Sequence, residues 1–326
     1  MKGTYDIRIE NARVQFKLTL TRSLTVIRGN SATGKSTLVG MVAEYAQDGQ
    51  ASGITLSSAR PCVVLAGRSW KRDLEETKGS FVFLDEGNTF TRTEEFAKAV
   101  RNSDNYYVLV TRESLPMLPY SVEEVYELRN STSRYPGIRK YYTHARRMYT
   151  QIPHITNPQT VIVEDSNSGY EFFRALCEHS EIECTSAHGK GNVLAKLRAC
   201  ASERILIIAD GAEFGPQMEA VLELAQRKGA GLFLPESFEW LILCSGLVRD
   251  SEIPKILENP SAYVESREYF SWERFFTSLL VERTQGTYLH YDKARLNPAY
   301  LASRERSLVE AQVQQTGIQA SPMTDL

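Results

Sequence analysis

Nothing in this sequence pulls it hard toward one kind of surface. Its 38 Lys and Arg residues against 40 Asp and Glu leave a formal net charge of -2, which removes any global attraction to nucleic acid or anionic membrane. Any such contact must be local. Cysteine is sparse and odd in number: Cys62, Cys177, Cys184, Cys200 and Cys244 lack paired metal-ligand spacing and read as reduced thiols of a cytoplasmic protein. The five histidines (His144, His154, His179, His188, His290) are scattered and form no ligand pair. No apolar run reaches membrane length, and the opening MKGTYDIRIENARVQF alternates like a strand rather than a leader, so no membrane partner is expected. Internal repeats and low-complexity tracts are missing too. What remains is 326 residues, 42% hydrophobic and 24% charged, enough for two domains with a core each.

The most informative stretch is LTVIRGNSATGKSTLVGMV, residues 24–42. It reads as a buried strand, a glycine-bounded turn and the start of a helix, with Gly29, Gly34, Lys35 and Ser36 filling G-x-x-x-x-G-K-[ST]. The glycines let successive N–H groups turn inward, and the following helix aims its positive dipole end at the same anion. Gly29, Asn30, Ser31, Ala32, Thr33, Gly34, Lys35, Ser36 and Thr37 are thus the candidate ATP-binding residues, Lys35 reaching the β- and γ-phosphates and Ser36 ligating Mg2+.

A second, acidic element follows. GSFVFLDEGNTF, residues 79–90, is an unbroken apolar run ending in Asp85 and Glu86, which suits a central parallel strand delivering carboxylates to its C-terminal edge. Asp85 is the candidate metal ligand and Glu86 the candidate catalytic base for water. A third strand in NYYVLVTRESLPMLPYS ends at Thr111 and Arg112, where a polar residue senses the γ-phosphate in many P-loop ATPases. Arg112 is open to three other readings: an arginine finger, an interdomain salt-bridge partner or a solvated loop arginine. No large helical insertion and no LSGGQ-like signature lies between the two motifs. Residues 1–130 therefore resemble a stripped-down P-loop ATPase core of the ABC/AAA-like kind.

Residues 131–159 read as a connector rich in Arg, Tyr and Pro. Arg134, Arg139, Lys140, Arg146 and Arg147 interleave with Tyr135, Tyr141, Tyr142 and Tyr149, which suits either nucleic acid or a solvated linker. From 160 to 310 the pattern is strand-acid, helix, strand-acid, helix, a doubly wound α/β pattern with carboxylates gathered on one edge. Glu164 and Asp165 end one strand; Asp210 and Glu213 follow another. YVESREYFSWERFFTSLLVERT reads as one amphipathic helix, and residues 311–326 as a flexible tail.

Residues 160 to about 245 resemble a TOPRIM domain of the kind joined to a P-loop ATPase in the overcoming-lysogenization-defect (OLD) nucleases. The resemblance implies a metal site built on Glu164 and on Asp210, the first member of an Asp-x-Asp pair. The second member falls on Ala212, and the glycine expected after the first glutamate is Asp165. A rearranged single-ion site and a catalytically silent domain are both open. Lys190, in the Gly-Lys turn, is the basic group expected between Glu164 and Asp210.

The expectation is an α/β protein, a P-loop NTPase parallel sheet followed by a TOPRIM-like domain, in which Mg2+-dependent ATP hydrolysis gates the second domain. By resemblance it would serve prokaryotic anti-phage or mobile-element biology, as a homo-oligomer or with a partner protein, with nucleic acid a further candidate partner. The alternatives are a nucleotide-dependent interaction switch without nuclease activity and an ATP-dependent TOPRIM nuclease. A small-molecule kinase ranks last, because no lid or acceptor-site pattern is visible.

Overall fold

The computed structural model describes residues 1–29, 33–132, 141–316 and 318. It is an α/β chain of two compact units, the first formed by Met1–Thr150 with Asn259–Ser271 and the second by Gln151–Glu258 with Trp272–Leu326.

In the first unit the strands are β1 (Tyr5–Glu10), β2 (Val14–Leu20), β3 (Leu24–Arg28), β4 (Thr55–Ser58), β5 (Cys62–Val64), β6 (Phe81–Leu84), β7 (Tyr106–Val110), β8 (Val125–Thr132) and β9 (Tyr141–Arg147). Helices α1 (Lys35–Asp48), α2 (Trp70–Glu76) and α3 (Glu94–Arg101) join some of them. One sheet takes them all, in the order β4-β1-β2-β9-β8-β3-β7-β6-β5. It is mixed rather than parallel throughout: β5, β6, β7, β3 and β8 run parallel, whereas β1 pairs antiparallel with β2 and β4, and β8 with β9.

Strands β6 and β7 are apolar without a break and buried throughout because both faces are covered. Successive side chains alternate between two cores. Ile27, Phe81, Phe83, Tyr106 and Val108 meet Leu38, Val39 and Val42 of α1, while Val26, Val82, Leu84, Tyr107 and Leu109 meet Trp70, Leu74, Phe96 and Val100 of α2 and α3. Fully burying each such side chain contributes about 1.5–3 kcal/mol before entropy is counted.

The expected connector over 131–159 is a correction. Tyr141–Arg147 is a full strand, antiparallel to β8 and parallel to β2, and the unit continues to Thr150. Its polar composition misleads because only one side chain of that strand, Thr143, is fully buried. Arg134, Tyr135, Arg139 and Lys140 lie outside the described residues, as do Asn30, Ser31 and Ala32.

The second unit carries β10 (Thr160–Val163), β11 (Glu183–Ser186), β12 (Ile205–Ile208) and β13 (Gly231–Phe233), all parallel, in the order β11-β10-β12-β13. Its helices are α4 (Ser168–His179), α5 (Val193–Ala199), α6 (Gly215–Lys228), α7 (Phe238–Cys244), α8 (Ile253–Glu258), α9 (Trp272–Thr284) and α10 (Ser303–Glu310). The long helix expected over 263–284 is shorter: α9 starts at Trp272, and Asn259–Ser271 belongs to the first unit, where Glu265 holds the chain's terminal amine and Ser266 N donates to Met1 O at 2.9 Å. Nor is 311–326 a flexible tail from its start. Ala311–Thr316 makes a 3-10 turn, with Val313 and Ile318 buried.

Candidate functional sites

In the first unit the site lies at the C-terminal ends of β3, β6 and β7, with β7 between the other two. Gly29 leaves β3 at φ +125° and Gly34 enters α1 at φ +90°, where an L side chain is strained. At Gly34 a Cβ would also stand 3.4 Å from the Phe16 ring. Helix α1 starts with neither a side-chain cap nor an acidic residue in its first turn, so its dipole end is left for an anion. Ser36 and Thr37 are exposed on that turn. Lys35 is 5% exposed, and its ammonium donates to Gly29 O at 2.7 Å and Thr33 Oγ1 at 3.2 Å. Burial pushes its pKa down, Glu86 and Asp85 oppose that, and Arg112 adds to it. That balance brings the lysine, both acids and the arginine into one electrostatic site.

Arg112 is the ion-pair partner of Glu86. Its Nε and Nη2 donate to Glu86 Oε2 and Oε1 at 2.9 and 2.8 Å, a two-point fork on the candidate base. Arg28, buried at the end of β3, donates to Arg112 O at 2.8 Å and fixes the backbone behind the fork. Asp85 accepts from Glu86 N at 2.8 Å, while Thr111, buried at the end of β7, donates to Glu113 O at 2.8 Å.

A magnesium ion is small, keeps most of its waters and asks for one or two protein oxygens beside phosphate. Ser36, exposed on the first turn of α1, and Asp85, at the end of β6, carry oxygens of that kind.

The second unit places Glu164 and Asp210 on adjacent strand ends. Strands β10 and β12 pair Val163 with Ile208, and Glu164 N donates to Ile208 O at 2.8 Å. The Asp165 carboxylate is engaged by backbone, accepting from Ser166 N, Asn167 N and Gly169 N at 2.7, 3.1 and 3.2 Å, which ties down the start of α4. Gly211 is required beside Asp210, since a Cβ there would meet Leu234 O at 2.7 Å.

Three residues join that no local pattern announces. Glu239 on α7, Glu273 on α9 and Lys293 all act electrostatically on Asp210, and Glu273 acts on Glu164 as well. The Lys293 ammonium pairs with Glu273 and lies 3.7 Å from Glu239 Oε1. Tyr291 donates to Glu239 Oε1 at 2.9 Å, and Ser168 Oγ stands 2.6 Å from the Tyr291 hydroxyl. Glu239 is 1% exposed, and its Oε2 has no hydrogen-bond partner. Burial first, then Glu273 and Asp165, push Glu164 up to about 7 against the pull of Lys190 and the Asp210 amide. Burial, then Glu273, Glu164 and Glu239, raise Asp210 against Lys293. Lys190, the basic group expected between Glu164 and Asp210, ion-pairs instead with Glu213 at 2.8 Å, and Lys293 is the cation beside Asp210.

Among the described residues no group of three or more His, Cys, Asp or Glu side chains is arranged to hold a metal ion, and no helix is long and apolar enough to cross a membrane. No protein-family model matches this sequence, and no curated protein matches it closely enough to lend it a family.

Proposed function

We propose that the first unit binds ATP with Mg2+ on the loop from Gly29 to Thr37 and hydrolyses it. The observation that carries this reading is the convergence of Lys35, Asp85, Glu86 and Arg112 at one sheet edge, beside a 14-residue helix with an uncapped start. Lys35 would move its donors from Gly29 O and Thr33 to the β- and γ-phosphates. Ser36 and Asp85 would hold the ion, which when bound neutralises charge on the transferring phosphoryl group. Glu86 would orient the attacking water and take its proton once one of its oxygens is released by Arg112. Thr111 and Arg112 stand on the γ-phosphate side.

For the second unit, the parallel order β11-β10-β12-β13 with Glu164 and Asp210 on neighbouring strand ends supports a TOPRIM-like reading. Ala212 removes one acid that two-metal phosphodiester hydrolysis would use, and an ammonium stands among the others. That favours a nucleotide-dependent interaction switch over an ATP-dependent nuclease. The partner would be a protein or a second copy of the chain, met in the cytoplasm, in an anti-phage or mobile-element setting. ATP hydrolysis and DNA or RNA cleavage measured side by side test the pair of readings: turnover that needs Lys35, with no cleavage, is the expected result.

A further inference from the structure

The second unit carries a cavity of about 370 Å³ on residues that its acid cluster does not use. It lies among the turn after α7, the C-terminal end of α9 with the turn that follows, and the start of α10, all within that unit. Three arginines line it, Arg249, Arg283 and Arg304, against a single acid, Glu305. Like charges gathered at one surface repel one another, and an anion among them relieves that repulsion.

The acid is already engaged, because Glu305 Oε1 accepts from the Tyr288 hydroxyl at 3.0 Å. The terminal nitrogens of Arg283 are held by Asp250 and Glu252 at 3.0 and 2.8 Å, while its Nε is buried with no hydrogen-bond acceptor. Native structures rarely leave such a donor orphaned. Arg249 and Arg304 are exposed, and among the described residues neither has an ion pair or a hydrogen bond. The Glu305 hydrogen bond raises the pKa of Tyr288 and the two arginines pull it back, so both guanidinium groups stand within electrostatic reach of that hydroxyl. Helix α10 also begins here with no side-chain cap, and the positive end of its dipole adds to their field.

The remaining wall is apolar. Tyr288 is 66% exposed, with Leu308 and Leu247 also lining the cavity. Its ring is held at both ends, by Glu305 at the hydroxyl and by Asn297 Nδ2, which donates to Tyr288 O at 2.9 Å. A fixed, exposed ring offers a flat surface for stacking, and guanidinium groups match phosphate oxygens in their fork geometry. The volume is that of a site for a small ligand, about 300–1,000 Å³.

We propose that this cavity is a second nucleotide-recognition site, which takes a 5′-phosphate on Arg249, Arg304 and Arg283 Nε and stacks the attached base on Tyr288. The phosphate is that of a mononucleotide or of the phosphorylated end of a nucleic-acid strand, two sources of one chemistry. The inference rests on the second unit alone and stands independently of ATP binding in the first.

The test titrates AMP and a 5′-phosphorylated trinucleotide into the full chain by calorimetry, at low salt and without Mg2+. Wild type and Lys35→Ala are expected to bind AMP equally. Arg249→Ala and Arg304→Ala, which remove exposed side chains and leave the fold intact by circular dichroism, should each weaken binding about tenfold, the scale of one lost charged contact. Tyr288→Leu should weaken AMP while leaving inorganic phosphate unchanged. The tighter of the two probes identifies the source of the phosphate. Failure of both probes to bind wild type would overturn the proposal, as would affinities that both arginine variants leave unchanged. Equal binding of adenosine or of the 5′-hydroxyl trinucleotide would overturn it too, and loss of AMP binding in Lys35→Ala would place the nucleotide in the first unit instead.

Discussion

Arg112 grips both carboxylate oxygens of Glu86, at 2.9 and 2.8 Å, at the joint end of β7 and β6. A carboxylate held at both oxygens is well aimed but occupied, so under the proposed hydrolysis the arginine would set where Glu86 stands and its release would set when Glu86 can take a proton.

Glu86→Gln is expected to leave ATP affinity intact and slow hydrolysis by roughly a hundredfold, the scale of a lost general base. Arg112→Ala is expected to slow it by about tenfold or more through misplacement of Glu86. Because the two act as a unit, the double variant should be no slower than Glu86→Gln. Single-turnover rates check this, and additive losses would separate the two residues.

Glu124 gives a pH signature for the first unit. It is wholly buried, accepts from Thr21 and Thr25 at 2.9 and 3.1 Å, and faces Arg22 Nε at 3.7 Å. Burial raises its pKa against the pull of Arg22, Thr21, Thr25 and Arg147. The folded state then binds the proton more tightly than the unfolded chain, so this contribution to stability is full below the ordinary carboxyl value of 4.5 and is lost as pH rises through the raised one. Glu124→Gln should remove that slope. Denaturant titrations across pH check it, and parallel slopes would contradict it.

Gly211→Ala is expected to destabilise the second unit by about 3 kcal/mol or more, since backbone oxygens at 2.7 and 2.9 Å leave no room for a methyl group. Calorimetry should show a drop of roughly 2–4 °C per kcal/mol in a unit of this size. An unchanged transition would mean that the Leu234–Pro235 turn yields freely.

The sequence discloses those parts whose cause is local. Strand β3 running into Lys35, β6 ending in Asp85 and Glu86, and β10 ending in Glu164 are read from apolar runs that stop at a glycine or an acid. Strand β9 escapes because it is half-exposed and polar. Glu239, Glu273 and Lys293 escape for a different reason: each lies on a separate segment at least 29 residues from Asp210, and only tertiary packing brings them to it. The lone hint is the excess of acids at one predicted sheet edge, which demands a cation without saying where it comes from. Lys190 was the nearest in sequence, and Lys293 is the one in place.

Assembly is a further expectation. With Arg112 engaged by Glu86, the γ-phosphate side calls for a positive group from elsewhere, commonly another subunit. Light scattering with and without Mg-ATP should find an oligomer. A strict monomer that still turns over ATP would contradict this.

The central claim is that Lys35 holds a nucleoside triphosphate, and isothermal calorimetry of Mg-ATP binding to wild type and Lys35→Ala tests it most directly. Wild type should bind ATP one to one, and the variant should lose tight binding while keeping its fold by circular dichroism. Equal affinity in the two proteins, or no binding by wild type, would contradict the account.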